Sequence, residues 1–191
     1  MSKPIDPKRT ALVLVDLQHS NLARELAPHT GARVLDNCTA LAGAWRARGA
    51  TIVFVRVDVN DIRAHEADRT IPRPTVIAPQ ASQLVPCANV APGDVLVTKR
   101  QWGAFYGTEL DQVLRRRGVT TLVLGGIATN FGVESTARAA LDRGYDLVFA
   151  EDAMSSMSAE LHRFAVDNLF PLMGRVRTTA QLMELAAAVA G

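Results

Sequence analysis

Residues Ala11–Gln18 read ALVLVDLQ, and residues Asp94–Lys99 read DVLVTK. Each is a short apolar run closed by an ionisable residue, Asp16 in the first and Lys99 in the second. Unbroken apolar runs of this length fit strands buried on both faces, as in a parallel sheet. A carboxylate or ammonium at such a place must be paired, hydrogen-bonded or shifted in pKa, because burying a lone charge is costly. In open α/β sheets ligands bind outside the carboxyl ends of the strands, so both charges stand where a substrate would be met.

Outward from these two runs the chain alternates strand and helix patterns. Gly31–Arg48 has helical periodicity and Ala50–Val59 (ATIVFVRVDV) is β-rich, which makes a β-α-β unit with the first run. Thr108 and Asp111 open a helix that carries Leu110, Val113 and Leu114, runs to Arg117 and stops at Gly118. Thr120–Ile127 (TTLVLGGI) is a fourth buried strand, and Val133, Ala137, Ala140 and Leu141 mark the inner face of the next helix. A fifth strand spans Asp146–Asp152. Leu161, Phe164, Ala165, Leu169 and Leu172 form another helical stripe, followed by a short strand over Arg175–Thr178 and a helix with Leu182, Leu185, Ala186 and Val189 inward. This alternation predicts a three-layer α/β/α fold in one domain, residues 1–191, around a parallel sheet covered on both faces, for which we expect six strands in the order 3-2-1-4-5-6. Asn60–Gly93, with Pro72, Pro74, Pro79, Pro86 and Pro92, is read as a long loop of the kind that serves binding or subunit contacts.

Composition narrows the function classes. With 48% hydrophobic and 21% charged residues in 191, the chain is globular rather than disordered and long enough for a sizeable core. A net charge of +2 is too mild for a nucleic-acid binder, and Arg115, Arg116 and Arg117 read as the solvated end of a helix. The N-terminal MSKPIDPKRT is not a signal region and no segment is apolar for long enough to span a membrane, so a cytoplasmic protein is expected. Cys38 shares a helical face with Val34, Leu41 and Trp45 and reads as a core residue, while Cys87 follows Pro86 in the loop. His65 stands alone near Asp58, and His162 is expected to face solvent.

The turn after the fourth strand, GGIATNFGVESTARAA from Gly125 to Ala140, is glycine-rich but lacks both the dinucleotide spacing and a Lys-Ser/Thr pair. It reads as a strand-to-helix elbow whose backbone N–H groups suit an oxyanion or a carboxylate. Asp16 in LVLVDLQ, Lys99 in TKRQWGAFYGTEL and the elbow GGIATNFGVESTA resemble, in order, the three signature segments of the isochorismatase-like hydrolase family, and EDAMSS at Glu151–Ser156 extends the match. The resemblance implies a Rossmann-like hydrolase with Asp16 and Lys99 as catalytic residues. It further implies an oxyanion or anion pocket from Ala128, Thr129, Asn130 and Gly132, a non-proline cis peptide between Ile127 and Ala128, and a homo-oligomer; the metal site of the family's nicotinamidases is missing, since Asp58 is followed by Val59 and Asn60 with His65 alone, so no metal or other cofactor is expected.

One departure decides the chemistry. The cysteine of the family's amidohydrolase branch falls at Gly132, which has no side chain, so a thioester cannot form there. Family members with glycine at this place resemble true isochorismatases, which cleave a vinyl ether with water and an aspartic acid. The sequence therefore points to a small-molecule hydrolase acting through Asp16 and Lys99, with a catalytically inactive small-molecule-binding member as the alternative. That chemistry needs a protonated Asp16; burial raises its pKa and Lys99 lowers it. Asp16 and Lys99 also fit a purely structural ion pair. Gln18 fits either a ligand contact or a backbone partner. Trp102, Phe105 and Phe131 are taken as substrate-pocket wall, although Trp102, Phe105 and Tyr106 fit core or subunit contacts as well.

Overall fold

The structure, a computed structural model, describes residues 5–62, 66–69 and 76–188. His65 and Val189 lie outside these residues. Along the chain run β1 (Thr10–Val15), α1 (His19–Leu22), α2 (Gly31–Arg46), β2 (Thr51–Val57), β3 (Val95–Lys99), α3 (Leu110–Arg116), β4 (Thr121–Ile127), α4 (Glu134–Asp142), β5 (Asp146–Ser155), α5 (Ala159–Phe164), α6 (Phe170–Met173), β6 (Arg175–Arg177) and α7 (Thr179–Ala188). The strands form one parallel sheet in the order β3-β2-β1-β4-β5-β6. Order reverses between β1 and β4, which opens a crevice at the carboxyl ends of those strands.

Side-chain alternation divides the core between the two faces of the sheet. Val13 and Val15 of β1 join Val53, Val55, Leu122 and Leu124 in a layer covered by α3, α4 and α6. Leu12 and Leu14 join Ile52, Phe54 and Val123 in a second layer with Val34, Leu41 and Trp45 of α2 and Leu182 of α7. Every residue of β1 and of β4 is buried, which is why these strands read as unbroken apolar runs instead of alternating ones. Cys38 is part of the second layer, where its thiol donates to the Ala153 carbonyl at 3.3 Å. No helix among the described residues is long and apolar enough to cross a membrane.

The sequence reading errs where the helical period is not uniform. Leu141, Leu161, Phe164 and Leu172 are exposed, and His162, expected at the surface, is only 3% exposed. On α5 the inward residue is His162, one step from Leu161 of the apolar stripe, and Ala165 of that stripe is the next inward residue, just after the helix. A polar ring is tolerated inside because the Thr129 hydroxyl pairs with it. A π-helical turn over Ala165–Leu169 then rotates the following face and brings Phe170 inward to stack on Phe149, with centroids 4.0 Å apart. The fifth strand runs three residues beyond the expected Asp152, because its pairing with β4 jumps from Leu124↔Phe149 to Gly126↔Met154 and then continues to Ser155.

Candidate active site

Asp16 is the first residue after β1 and adopts φ 55°, a left-handed conformation that aspartate tolerates better than most side chains. Its N–H still donates to Val55 O at 2.8 Å as a last rung of the sheet, and its carbonyl accepts from Gln18 N at 2.8 Å. Lys99 closes β3, two strands away across β2, a separation of about 10 Å that a four-carbon stem can bridge. The Lys99 Nζ donates to Asp16 Oδ2 at 2.9 Å and to the Trp102 carbonyl at 2.6 Å, with its side chain 1% exposed. Asp16 Oδ1 is buried and has no hydrogen-bond partner among the described residues. Burial pushes the Asp16 carboxyl above the ordinary carboxylate range, and the Lys99 ammonium, pulling downward, does not cancel that push.

The elbow closes over this pair. The Ile127–Ala128 peptide is cis, and a π-helical turn spans Thr129–Val133 before α4 begins. Gly132 sits so close that a Cβ on it would lie 3.0 Å from Lys99 Nζ, 3.0 Å from Val15 Cγ1 and 3.4 Å from Asp16 Oδ2. Asp16, Lys99 and Gly132 therefore meet in one cleft, whose walls include Ala128, Trp102 and Phe131. Trp102 and Phe131 meet edge to face, with centroids 4.9 Å apart. Arg24 reaches the same cleft and makes no ion pair among the described residues.

Four of the residues expected in the site lie elsewhere. Gln18 is fully buried and completes the sheet: Nε2 donates to Val57 O and Oε1 accepts from Val57 N, both at 2.8 Å. It therefore serves the backbone and does not wall the cleft. Phe105 is also core, tilted against Tyr145 with Arg143 over its ring. In the elbow, Ala128 and Gly132 of the expected anion pocket line the cleft, whereas Thr129 and Asn130 do not, their side chains being turned to His162 and Ser156. Asn21, Arg24, Ile62, Ile77, Ala81 and Met157 line it without having been anticipated. They come from α1 and from loops, where no periodicity marks an inward face.

Among the described residues one group has ligating atoms close enough to hold a metal ion, and it lies outside the cleft: His29, Glu151 and His162. Burial, with His29 acting in the same direction, lowers the His162 pKa to about 4. Burial raises that of Glu151 above the ordinary range, against the pull of His29.

An open α/β sheet with a buried acid, a lysine and a tight elbow at its switch point defines a class of small-molecule enzyme. The isochorismatase domain matches residues 10–181. The chain is 41% identical over 183 residues to an uncharacterized isochorismatase family protein, YecD, of Escherichia coli O157:H7, covering 94% of this chain and 97% of that one. It is 42% identical over 188 residues to another, YwoC, of Bacillus subtilis (strain 168), with 94% and 95% covered. The structure of an isochorismatase family protein from Burkholderia thailandensis superposes with a TM-score of 0.90 at 40% identity, covering 96% of this chain and 98% of that one. The chain belongs to the isochorismatase-like hydrolase family.

The cleft can be tested without knowing its substrate. Gly132→Cys places a thiol beside the Lys99 ammonium and at the N-terminal side of the elbow helix, both of which lower a thiol pKa. The new Cβ needs its neighbours to give by a few tenths of an ångström. We expect rapid alkylation by iodoacetamide with a pKa below the ~8.5 of free cysteine. Wild-type protein supplies the background, in which Cys87 is exposed and Cys38 is buried with its thiol pKa pushed up. A pKa at or above that of free cysteine would show that the cleft is not electropositive.

Proposed function

We infer that this protein is a small-molecule hydrolase that works through Asp16, Lys99 and water, with no covalent thiol intermediate, and that its substrates are vinyl ethers. The observation that carries this reading is the buried Asp16 carboxyl: Oδ2 is held by Lys99 and Oδ1 has no partner among the described residues, while Gly132, the position the resemblance gives to the family's cysteine, offers no side chain. An acid raised in pKa and fixed in orientation is suited to giving up a proton near neutral pH.

In this mechanism Asp16 delivers the proton to the terminal carbon of the C=C–O group, which leaves an oxocarbenium ion. Water adds to that cationic carbon and loses a proton to the Asp16 carboxylate. The resulting hemiketal breaks its C–O bond, releasing an alcohol and a carbonyl compound. Lys99 orients the acid before transfer and stabilises the carboxylate after it. Ala128, Trp102 and Phe131 provide an apolar wall against which the uncharged part of the substrate packs. Arg24 supports a substrate with an anionic group.

The experiment is a screen of vinyl ethers, amides and carbamoyl compounds with product detection by mass spectrometry. We expect turnover of vinyl ethers that iodoacetamide does not reduce. The rate is expected to fall as pH rises through the raised Asp16 pKa, because the protonated acid is the active form. Amide turnover alone would defeat this mechanism. Ligands that raise the melting temperature without any turnover would favour the second reading, an inactive binding member, for which the missing nucleophile at Gly132 is the supporting observation.

A further inference from the structure

We propose that His29, Glu151 and His162 form a binding site for a divalent transition-metal ion, with Zn²⁺ the best match, behind the elbow and separate from the substrate cleft. One ligating atom from each of the three lies within 4.8 Å of the other two, and His29 Nε2 and Glu151 Oε2 are already 3.8 Å apart. Ligands bonded at about 2.0–2.2 Å in a tetrahedral shell stand roughly 3.3–3.6 Å from one another, so small side-chain rotations close the site. The rings of His29 and His162 meet edge to face at 87° with centroids 5.6 Å apart.

The three residues come from separate segments. His29 lies between α1 and α2, Glu151 lies where β5 breaks register with β4, and His162 is on α5. His162 is also oriented from behind, since the Thr129 hydroxyl lies 2.8 Å from its Nδ1. A hydrogen-bond partner on one ring nitrogen is the usual support for a histidine that ligates through the other. His29 N–H in turn donates to Ser155 Oγ at 3.2 Å, which holds its segment against the end of β5. The donor set of two imidazoles and one carboxylate favours Zn²⁺ over Mg²⁺ or Ca²⁺, which take oxygen ligands. His29 and Glu151 side chains are 27% and 29% exposed, so an ion has an entry path and water can take the fourth position. None of the three lines the substrate cleft. Thr129, two residues after Ile127, connects the ion to the elbow, so the bound metal acts as a clamp on that turn.

The test uses the full chain, stripped with EDTA and dialysed, and ZnCl₂ as the probe in isothermal titration calorimetry, with MgCl₂ as comparison. We expect one saturable Zn²⁺ site per chain, a Zn²⁺-dependent rise in melting temperature, and no binding of Mg²⁺ at the same concentrations. Co²⁺ in place of Zn²⁺ should give the visible absorption of a four-coordinate nitrogen/oxygen site. His29→Ala and Glu151→Gln, both at the partly exposed rim, should each weaken Zn²⁺ affinity 10-fold or more. Thr129→Val should weaken it about 10-fold by releasing the His162 ring. The inference fails if Zn²⁺ does not bind saturably, or if it binds equally well to His29→Ala and Glu151→Gln. None of these readouts involves turnover, so the outcome is independent of the hydrolase reading.

Discussion

Gly126→Ala is expected to leave little folded protein, with a stability loss above about 4 kcal/mol, the range reached only by severe clashes and lost core contacts. Gly126 has φ 111°, which L side chains rarely adopt. A Cβ there would lie 2.1 Å from Val15 O and 2.5 Å from Val15 N, inside contact distance of backbone that cannot move aside. Val15 is the last residue of β1, bonded on one side to β2 and on the other to β4, and it leads directly into Asp16. The tight approach of these two central strands is thus what sets the acid at the mouth of the switch point. Gly43→Ala provides the contrast: this glycine lies in the last turn of α2, exposed and with nothing within 4 Å of a Cβ, and alanine should stabilise by about 0.5–1 kcal/mol. Thermal melting of the two variants beside wild type decides the matter. A soluble Gly126→Ala protein that melts with the wild type would refute this account of the strand contact.

The sheet was legible because its strands are buried on both faces and therefore uniformly apolar. β1 and β4 can be located from Ala11–Val15 and Thr121–Ile127 alone, and the βα alternation leaves few possible topologies. Asp16 and Lys99 were legible because charge at the end of such a run is costly unless it has a partner. Gln18 was not, since an amide near a strand end can serve ligand or backbone equally well, and only the position of Val57 decides. Phe105 follows Lys99 closely enough to suggest the pocket, yet the turn after Trp102 carries it into the core. His162 reads as a surface residue because a buried hydroxyl partner leaves no trace in a 3.6-residue pattern, and the π-helical turn after it likewise hides the inward turn of Phe170. The cleft walls from Ile62, Ile77 and Ala81 belong to the proline-rich loop, whose inward residues follow from tertiary packing and from no local rule.

Asp16→Asn is expected to lower turnover by about 10²- to 10⁴-fold, the contribution of a positioned general acid, while changing stability little. The two halves of this expectation come from the same protonation state. Asparagine is close in shape to a protonated aspartic acid, and its Oδ1 can accept from Lys99 Nζ as the acid's Oδ2 does at 2.9 Å. If folded Asp16 is the neutral acid that burial favours, the amide replaces it without stranding a charge. A structural ion pair predicts the reverse. Removing the carboxylate would then leave the Lys99 ammonium buried without a counter-charge, which costs about 3–5 kcal/mol. In a domain of this size that loss lowers the melting temperature by roughly 6–20 °C, at 2–4 °C per kcal/mol. Melting curves and rates measured on the same preparation of Asp16→Asn therefore separate the two roles. A large loss of stability with no catalytic deficit would make the pair architectural, and the acid mechanism would have no proton donor.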